Sequence, residues 1–308
     1  MGQPRIVVVG SSNTDMVVKV SRIPGPGETV VGGSFMMTAG GKGANQAVTA
    51  ARLGGQVTFV VRLGRDVFGR QTEENLRREG IDTTHLVWDD ETPSGIALIM
   101  VSAEGENSIA VAPGANGQLT PADVDRAEAA IAAADALLLQ LEVPLGAVAR
   151  AIEIARRHHV RTILNPAPAA MVPADLLRQV DLLTPNEHEA ARLAGMPPAG
   201  QEGAARVAEK LLSRGVPAVV LTLGKRGALL ATPGQSEMIP AYKVTPIDTT
   251  GAGDAFNGAL AFKWAQGASL AEAVHYANAV AALSTTVMGA QNSLPTAEQV
   301  ASFLNQQG

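Results

Sequence analysis

Asp254 closes the run Asp248-Thr-Thr-Gly-Ala-Gly-Asp254, and a carboxylate in that position can take a proton. Gly251 and Gly253 let the backbone turn sharply and leave its N–H groups bare. An Ala-rich helical segment, Ala255–Ala265, follows them, so the bare groups sit at a helix N-terminus and form an anion site. Asp254 is then poised to accept a proton from a hydroxyl that attacks a phosphoryl group held there. The helix dipole is expected to hold its pKa low and make it a weak base. A weak base suffices where the transition state is loose and the proton leaves late. The same residues also read as a helix N-cap after a glycine turn, and the local sequence leaves both readings open.

A second glycine-rich run, Gly40-Gly-Lys-Gly-Ala-Asn-Gln-Ala47, opens another Ala-rich helix. It is not a P-loop, because no Gly lies five residues before Gly41 and no Ser or Thr follows Lys42. No run of glycines fits G-x-G-x-x-G either, which argues against a dinucleotide-binding dehydrogenase. Bare N–H groups, the Lys42 ammonium and the Asn45 amide suit hydroxyl groups instead. Asn13 and Asp15 are two residues apart in extended chain and project to one face, where an amide and a carboxylate can hold adjacent sugar hydroxyls. Glu142, the run Thr184-Pro-Asn186-Glu-His-Glu189 and the run Thr222-Leu-Gly-Lys-Arg-Gly227 complete the set.

These residues need elements to hold them. Short, continuous apolar runs at Ile6–Val9, Val57–Val61, Ala136–Leu139, Thr162–Leu164, Asp181–Leu183 and Ala218–Leu221 suit parallel strands covered on both faces. A further strand-like run, Tyr242–Ile247, precedes the Asp248 turn. Helical segments alternate with them: Asn45–Leu53, Asp66–Arg78, one capped by Thr120-Pro, Leu145–Arg157, Glu202–Ser213, Ala255–Ala265 and Leu270–Val287. The alternation predicts one α/β domain over residues 1–308, a doubly wound, mostly parallel sheet with helices on both faces. Two stretches break the pattern. Residues 15–38 and 95–112 read as antiparallel strand pairs with turns and no covering helix, the first returning through Thr29–Phe35. They are expected to form a small β lid, split in sequence, whose half-covered surface suits a dimer contact.

Asn13, Glu142, Asn186, Gly224 and Gly251 all fall just past the carboxyl end of an expected strand. In open α/β sheets that edge is where ligands bind. Composition narrows the partners. The chain carries 29 acidic and 24 basic residues without a basic block, which argues against nucleic acid. It has no cysteine, which removes disulfides and thiolate metal sites. No apolar stretch reaches the roughly 20 residues of a membrane span, and the apolar start reads as a buried strand rather than a signal peptide. A cytoplasmic protein is expected. The five histidines show no metal-ligand spacing.

With these residues assembled, the chain resembles the ribokinase family, within the ribokinase-like (PfkB) carbohydrate kinases. The resemblance runs from about residue 5 to about residue 305. It rests on Gly40–Ala47 and Asp248–Phe256, and is narrowed by Gly-Ser-Ser-Asn-Thr-Asp15, Gly-Glu-Asn107, Asn165-Pro-Ala-Pro168 and Gly289-Ala-Gln291. It implies transfer of the γ-phosphoryl of ATP to the 5-hydroxyl of D-ribose. Asn13, Asp15, Gly41, Lys42, Asn45 and Glu142 then hold the sugar, Asp254 takes its proton, and Gly251, Ala252 and Gly253 form the anion hole. By the same resemblance Asn186 meets the ATP phosphates and Glu189 orders water around Mg²⁺. Thr222, Gly224, Lys225 and Gly227 contact the nucleotide, with Asn278 near the adenine. An activating monovalent cation, usually K⁺, corresponds to Asp248, Thr250, Ser284, Val287, Gly289 and Ser293, partly through backbone carbonyls. A homodimer through the lid is expected from its half-covered surface. Deoxyribose, fructose or a nucleoside stay open as substrates. The scarcity of aromatics in the lid weighs against a nucleoside, whose base needs a stacking surface. A catalytically silent sugar sensor on the same fold is the remaining alternative.

Overall fold

The protein is described by a computed structural model over residues 2–197 and 201–307, with the side chains of residues 201 and 202 outside the description. In chain order the strands are β1 (Arg5–Val9), β2 (Asn13–Lys19), β3 (Phe35–Gly40), β4 (Gln56–Gly64), β5 (Leu86–Asp89), β6 (Gly95–Val101) and β7 (Asn107–Ala112). There follow β8 (Ala136–Leu139), β9 (Arg161–Leu164), β10 (Leu182–Leu183), β11 (Val219–Thr222), β12 (Ala228–Thr232) and β13 (Gln235–Ile239).

Nine of them form the main sheet, in the order β13-β12-β11-β10-β9-β8-β1-β4-β5. From β11 to β5 all pairings are parallel; β12 alone runs against the others, so that the β11–β12 and β12–β13 pairings are antiparallel. Period-two alternation splits the side chains of each central strand between two apolar layers. Val7, Val9, Leu137 and Leu139 pack with the Leu145–Arg157 helix on one face. Ile6, Val8 and Leu138 pack with the Lys42–Arg52, Ala252–Ala265 and Leu270–Ser284 helices on the other. Burial on both faces is why these strands are continuous apolar runs. The Thr120 cap exists as a reciprocal pair: the Asp123 N–H donates to Thr120 Oγ1 at 3.2 Å and the Thr120 N–H to Asp123 Oδ2 at 2.9 Å.

The other four strands form the lid, in the order β3-β2-β6-β7. Directly opposed residues point to the same side of a sheet. By register Asp15 therefore shares its face with Thr38, Ala97 and Val111, and two residues on with Val17, Met36, Ile99 and Ile109. Phe35, Met37 and Leu98 lie on the opposite face. Apolar residues stay exposed on both faces: Phe35, Met37 and Leu98 on one, Ile109 and Val111 on the other.

Three expectations need correction. Tyr242–Ile247 forms no strand. Pro240 and Pro246 cannot donate to a ladder, and the N–H groups of Ile247 and Asp248 go to the carbonyl of Thr285 at 2.7 and 3.1 Å. Gly251 therefore does not follow a strand; it caps the Ala252–Ala265 helix from a loop. In the lid the return strand is Phe35–Gly40 rather than Thr29–Phe35, because Gly32 and Gly33 take φ of 113° and 106°, outside strand geometry. The helix expected over Leu270–Val287 stops at Ser284, and a further helix, Ala297–Gln307, follows it. No helix among the described residues is long and apolar enough to cross a membrane.

Candidate active site

The carboxyl edge of the main sheet and the root of the lid meet at Asp254. Asp254 lies in the first turn of the Ala252–Ala265 helix and is 6 % exposed. Its Oδ2 accepts from Asn45 Nδ2 at 2.9 Å and its Oδ1 from Gln46 Nε2 at 3.1 Å. Ala255 makes the first hydrogen bond of this helix, to Gly251. The N–H groups of Gly253 and Asp254 have no acceptor among the described residues, as helix geometry requires. That of Ala252 is turned to Thr249 O at 3.2 Å. Bare donors and a carboxylate thus share one turn.

The charge around Asp254 is mixed. Burial pushes its pKa up, against the pull of the Lys42 ammonium and the amides of Asn45 and Gln46, and Glu142 pushes it further up. The low pKa expected from the helix dipole is therefore corrected: loss of solvent outweighs the N-terminal donors. The pKa of Lys42 is raised as well. Asp254 beside it raises its pKa, burial opposes that, and Glu142 and Glu189 add to it, so Lys42 stays charged.

Glu142 follows β8 and holds the second glycine-rich run in place. Its Oε2 accepts from the Lys42 N–H at 3.0 Å and from Ser11 Oγ at 2.5 Å. The Lys42–Arg52 helix begins at Gly41, which has no side chain to cap it, so Glu142 supplies the negative charge that a helix N-terminus favours. Asn13 starts β2, paired with Gly40 and Gly95. Its Oδ1 accepts from Asn116 Nδ2 at 2.8 Å. Asp15, two residues on, is buried with its pKa raised to about 7 by burial and by the nearby charges of Glu142 and Asp254.

Asp254 also lines a cleft with Lys42, Asn165, Thr184, Asn186, Glu189, Thr222, Gly251, Gly253 and Asn257. Asn186 caps the Glu187–Ala194 helix. Its Oδ1 accepts from the Glu189 N–H at 2.9 Å, while its own N–H and Nδ2 donate to Glu189 at 2.8 and 2.9 Å. Burial raises the pKa of Glu189, against the Asn186 N–H and the charge of Lys42. Thr222 bridges to Asn186 beyond the end of β10. Gly224 and Lys225 stand exposed on the following turn and do not line the cleft, while Gly227 closes that turn. Asn278 is also apart from it: its Nδ2 donates to the carbonyls of Ile239 and Pro240 at 3.1 Å each, tying its helix to the end of β13.

Of the residues expected around a monovalent cation, Asp248, Thr250 and Gly289 are joined by hydrogen bonds, while Ser284 ends a helix and Ser293 lies in a 3-10 turn. Asp248 accepts from the N–H groups of Thr250 and Gly289 at 2.9 Å each. Burial works against its charge, but these donors win and hold its pKa low. Ser284 Oγ and Ser293 Oγ each donate to a carbonyl three residues back at 2.8 Å, and the side chain of Val287 is exposed.

Residues 3–297 match the family model described as pfkB family carbohydrate kinase. The chain belongs to that family. A ribokinase from Haemophilus influenzae is 42% identical over 299 residues, 97% of this chain and 98% of that one. A deoxyribokinase from Salmonella typhi is 38% identical over 301 residues, with 97% and 98% covered. The structure of Arabidopsis thaliana ribokinase complexed with ribose and ATP superposes with a TM-score of 0.91 at 34% identity, covering 98% of this chain and 99% of that one.

The carboxyl edge of the sheet and the root of the lid thus bring these side chains together. Several residues around them carry no role in the sequence analysis. Gln46 touches Asp254 directly, and Asn116 orients Asn13. Asn165 follows β9 on the same edge as Glu142; its Nδ2 donates to Thr184 O at 2.9 Å. Thr184 Oγ1 donates to Asn257 Oδ1 at 2.5 Å, and Asn257 Nδ2 to Gly253 O at 2.8 Å. A buried polar chain thus runs from the carboxylate back to the anion-binding turn. One signal was available: adjacent Asn45 and Gln46 are fixed polar intrusions in an otherwise Ala-rich buried helix.

Proposed function

We propose that this protein transfers the γ-phosphoryl group of ATP to the 5-hydroxyl of D-ribose, giving ribose 5-phosphate and ADP. The observation that carries this reading is Asp254 beside the free N–H groups of its own turn and within the field of Lys42. Asn13, Asp15, Gly41, Lys42, Asn45 and Glu142 hold the sugar from the lid side. Asn45 Oδ1 is buried without a donor, the condition a sugar hydroxyl would relieve. Asp254 accepts the proton of the attacking hydroxyl. The N–H groups of Gly251, Ala252 and Gly253 offset the charge on the transferring group, with Ala252 giving up its contact to Thr249.

Asn186, Thr222, Gly224, Lys225, Gly227 and Asn278 are assigned to the nucleotide. Glu189 suits water-mediated contact with Mg²⁺, which commonly binds few carboxylates and keeps its waters beside substrate phosphates. The ion supplies charge neutralisation on those phosphates. Asp248, Thr250, Ser284, Val287, Gly289 and Ser293 are assigned to a monovalent cation; the ligands they can offer are oxygens, which fits a hard ion such as K⁺. That cation supplies positive charge next to the anion-binding turn. The cytoplasm, with its ATP, is the compartment this reading requires. A panel of ribose, deoxyribose and fructose with limiting ATP, with and without K⁺, tests it. Ribose turnover stimulated by K⁺ is expected. Faster turnover of deoxyribose, the sugar named for the Salmonella relative, would reassign the substrate.

The pKa of Asp15 adds a pH dependence. Sugar hydroxyls donate to the charged carboxylate, so binding favours ionisation of a group that is half protonated near pH 7. Between about pH 6 and about pH 8 the KM for the sugar is expected to fall roughly fivefold to tenfold. The opposite sign holds for the free protein. A raised folded-state pKa contributes stability below the unfolded value, and that stability is lost as pH rises through about 7. An Asp15→Asn variant with the same KM profile would remove Asp15 as the cause.

The lid is also assigned to a homodimer, because its apolar residues are exposed on both faces. Leu98→Asp combined with Ile109→Asp strikes one residue on each face and is expected to give a monomer in sedimentation velocity. A variant that sediments as the wild type would place any dimer contact elsewhere.

A further inference from the structure

Asp254 is held by a residue to which nothing above gives a role in the reaction. Gln46 is 0 % exposed and donates one N–H of Nε2 to Asp254 Oδ1 at 3.1 Å and the other to Asn165 Oδ1 at 3.2 Å. A carboxylate can only accept, so Gln46 must present its nitrogen there. Its oxygen then faces Gln140, whose Nε2 donates to it at 2.6 Å. Gln140 is 0 % exposed as well. With its nitrogen committed, its Oε1 is left buried with no donor. That oxygen is wedged where a Cβ on Gly10 would stand 2.0 Å away.

An unsatisfied buried acceptor is costly, and apolar side chains of the same shape would avoid the cost. Two glutamines at 46 and 140 are therefore a poor choice for stability alone. Their value lies in direction. Each fixes the orientation of the next amide, and the last donor fixes one carboxylate oxygen while Asn45 fixes the other. The plane of the carboxylate is set, and its remaining lone pairs are aimed.

We infer that Gln46, oriented by Gln140, is a positioning residue that fixes the Asp254 carboxylate for proton acceptance. The inference rests on Asp254 being the base. The donated hydrogen bond favours the charged carboxylate against the burial that opposes it. The charged groups facing Asp254 are Lys42 from the second glycine-rich run, Glu142 from the end of β8, Asp15 from the lid and Glu189 from beyond β10. None of them is altered by a change at 46 or 140.

The test compares Gln46→Met and Gln140→Met in the wild-type and Asp254→Asn backgrounds, with ribose and MgATP as substrates and kcat followed across pH. Gln46→Met is expected to lower kcat about tenfold to a hundredfold, to change either KM by less than about threefold, and to move the acid limb of kcat to higher pH. In the Asp254→Asn background the same change is expected to cost nothing further. Equal losses in both backgrounds, or a loss with an unmoved acid limb, would overturn the inference. Gln140→Met removes the orphaned oxygen together with the orienting donor. Gln46 Oε1 becomes the orphan in its place, so the melting temperature is expected to stay near the wild-type value while kcat falls and the limb moves in the same direction. It keeps the test open if the Gln46 variant does not fold, and wild-type kcat and limb in it would overturn the orienting role. Asp254→Asn with wild-type turnover would instead refute the base itself.

Discussion

Asp254→Asn is expected to lower kcat for ribose about a thousandfold while leaving sugar affinity within a few fold. General base catalysis accounts for about a hundredfold to ten-thousandfold in rate, and a buried base with no substitute nearby sits in the upper part of that range. A thousandfold is about 4 kcal/mol of transition-state stabilisation. The substitution also sets an NH₂ group against either Asn45 Nδ2 or Gln46 Nε2, both of which donate to the native carboxylate. One of those contacts must open. Asp254→Ala, which removes the clash with the base, is therefore measured beside it. If both variants bind ribose by calorimetry with near wild-type affinity and both lose turnover, the loss belongs to proton transfer. A loss of less than about tenfold in both would end the assignment. The upward shift of the Asp254 pKa adds a direction: wild-type kcat should rise with pH as the carboxyl ionises, and neither variant should keep that limb.

What the sequence made legible follows from which signals are local. β1, β8 and β11 read correctly because a parallel strand buried on both faces is an unbroken apolar run. β13, Gln235-Ser-Glu-Met-Ile239, is a mostly exposed edge strand and carries no such run. Tyr242–Ile247 alternates like a strand, yet its last N–H goes to the carbonyl of Thr285, a partner no local pattern announces. The site divides the same way. Glu142 and Asn186 were found because each follows a strand at the ligand-binding edge. Gln46 meets its carboxylate 208 positions away, and Gln140 meets Gln46 across 94, so their pairing is a property of the fold. The pKa of Asp254 was misjudged for that reason as well. A helix N-terminus can be seen in the run itself, whereas the burial that overrides it depends on groups remote in sequence, Asn45 and Gln46 among them.

The meeting of Asp254 with Asn45 and Gln46 depends on a glycine one turn further along, and Gly258→Ala is expected to damage activity and stability together. Asp254 and Gly258 are four residues apart and stack on one face of the Ala252–Ala265 helix. That face packs on the Lys42–Arg52 helix so closely that a Cβ at 258 would lie 2.6 Å from Gln46 O and 2.6 Å from Thr49 Cβ. Neither neighbour is the free end of a long side chain. The Gln46 carbonyl is helix backbone, and Thr49 is anchored by its own Oγ1 donating to Asn45 O at 2.8 Å. Room for one methyl group can come only from moving the helices apart by several tenths of an ångström. The bonds to Asp254 at 2.9 and 3.1 Å lie directly on that seam and lengthen with it. Overpacking of this kind costs about 1–3 kcal/mol of stability. A misplacement approaching 1 Å near the reacting atoms can cost about a hundredfold in rate. Lower kcat in a protein that still folds and binds sugar, with a reduced melting temperature, is the expected result. Activity and melting temperature both at wild-type values would mean that the helix seam does not set the position of the base.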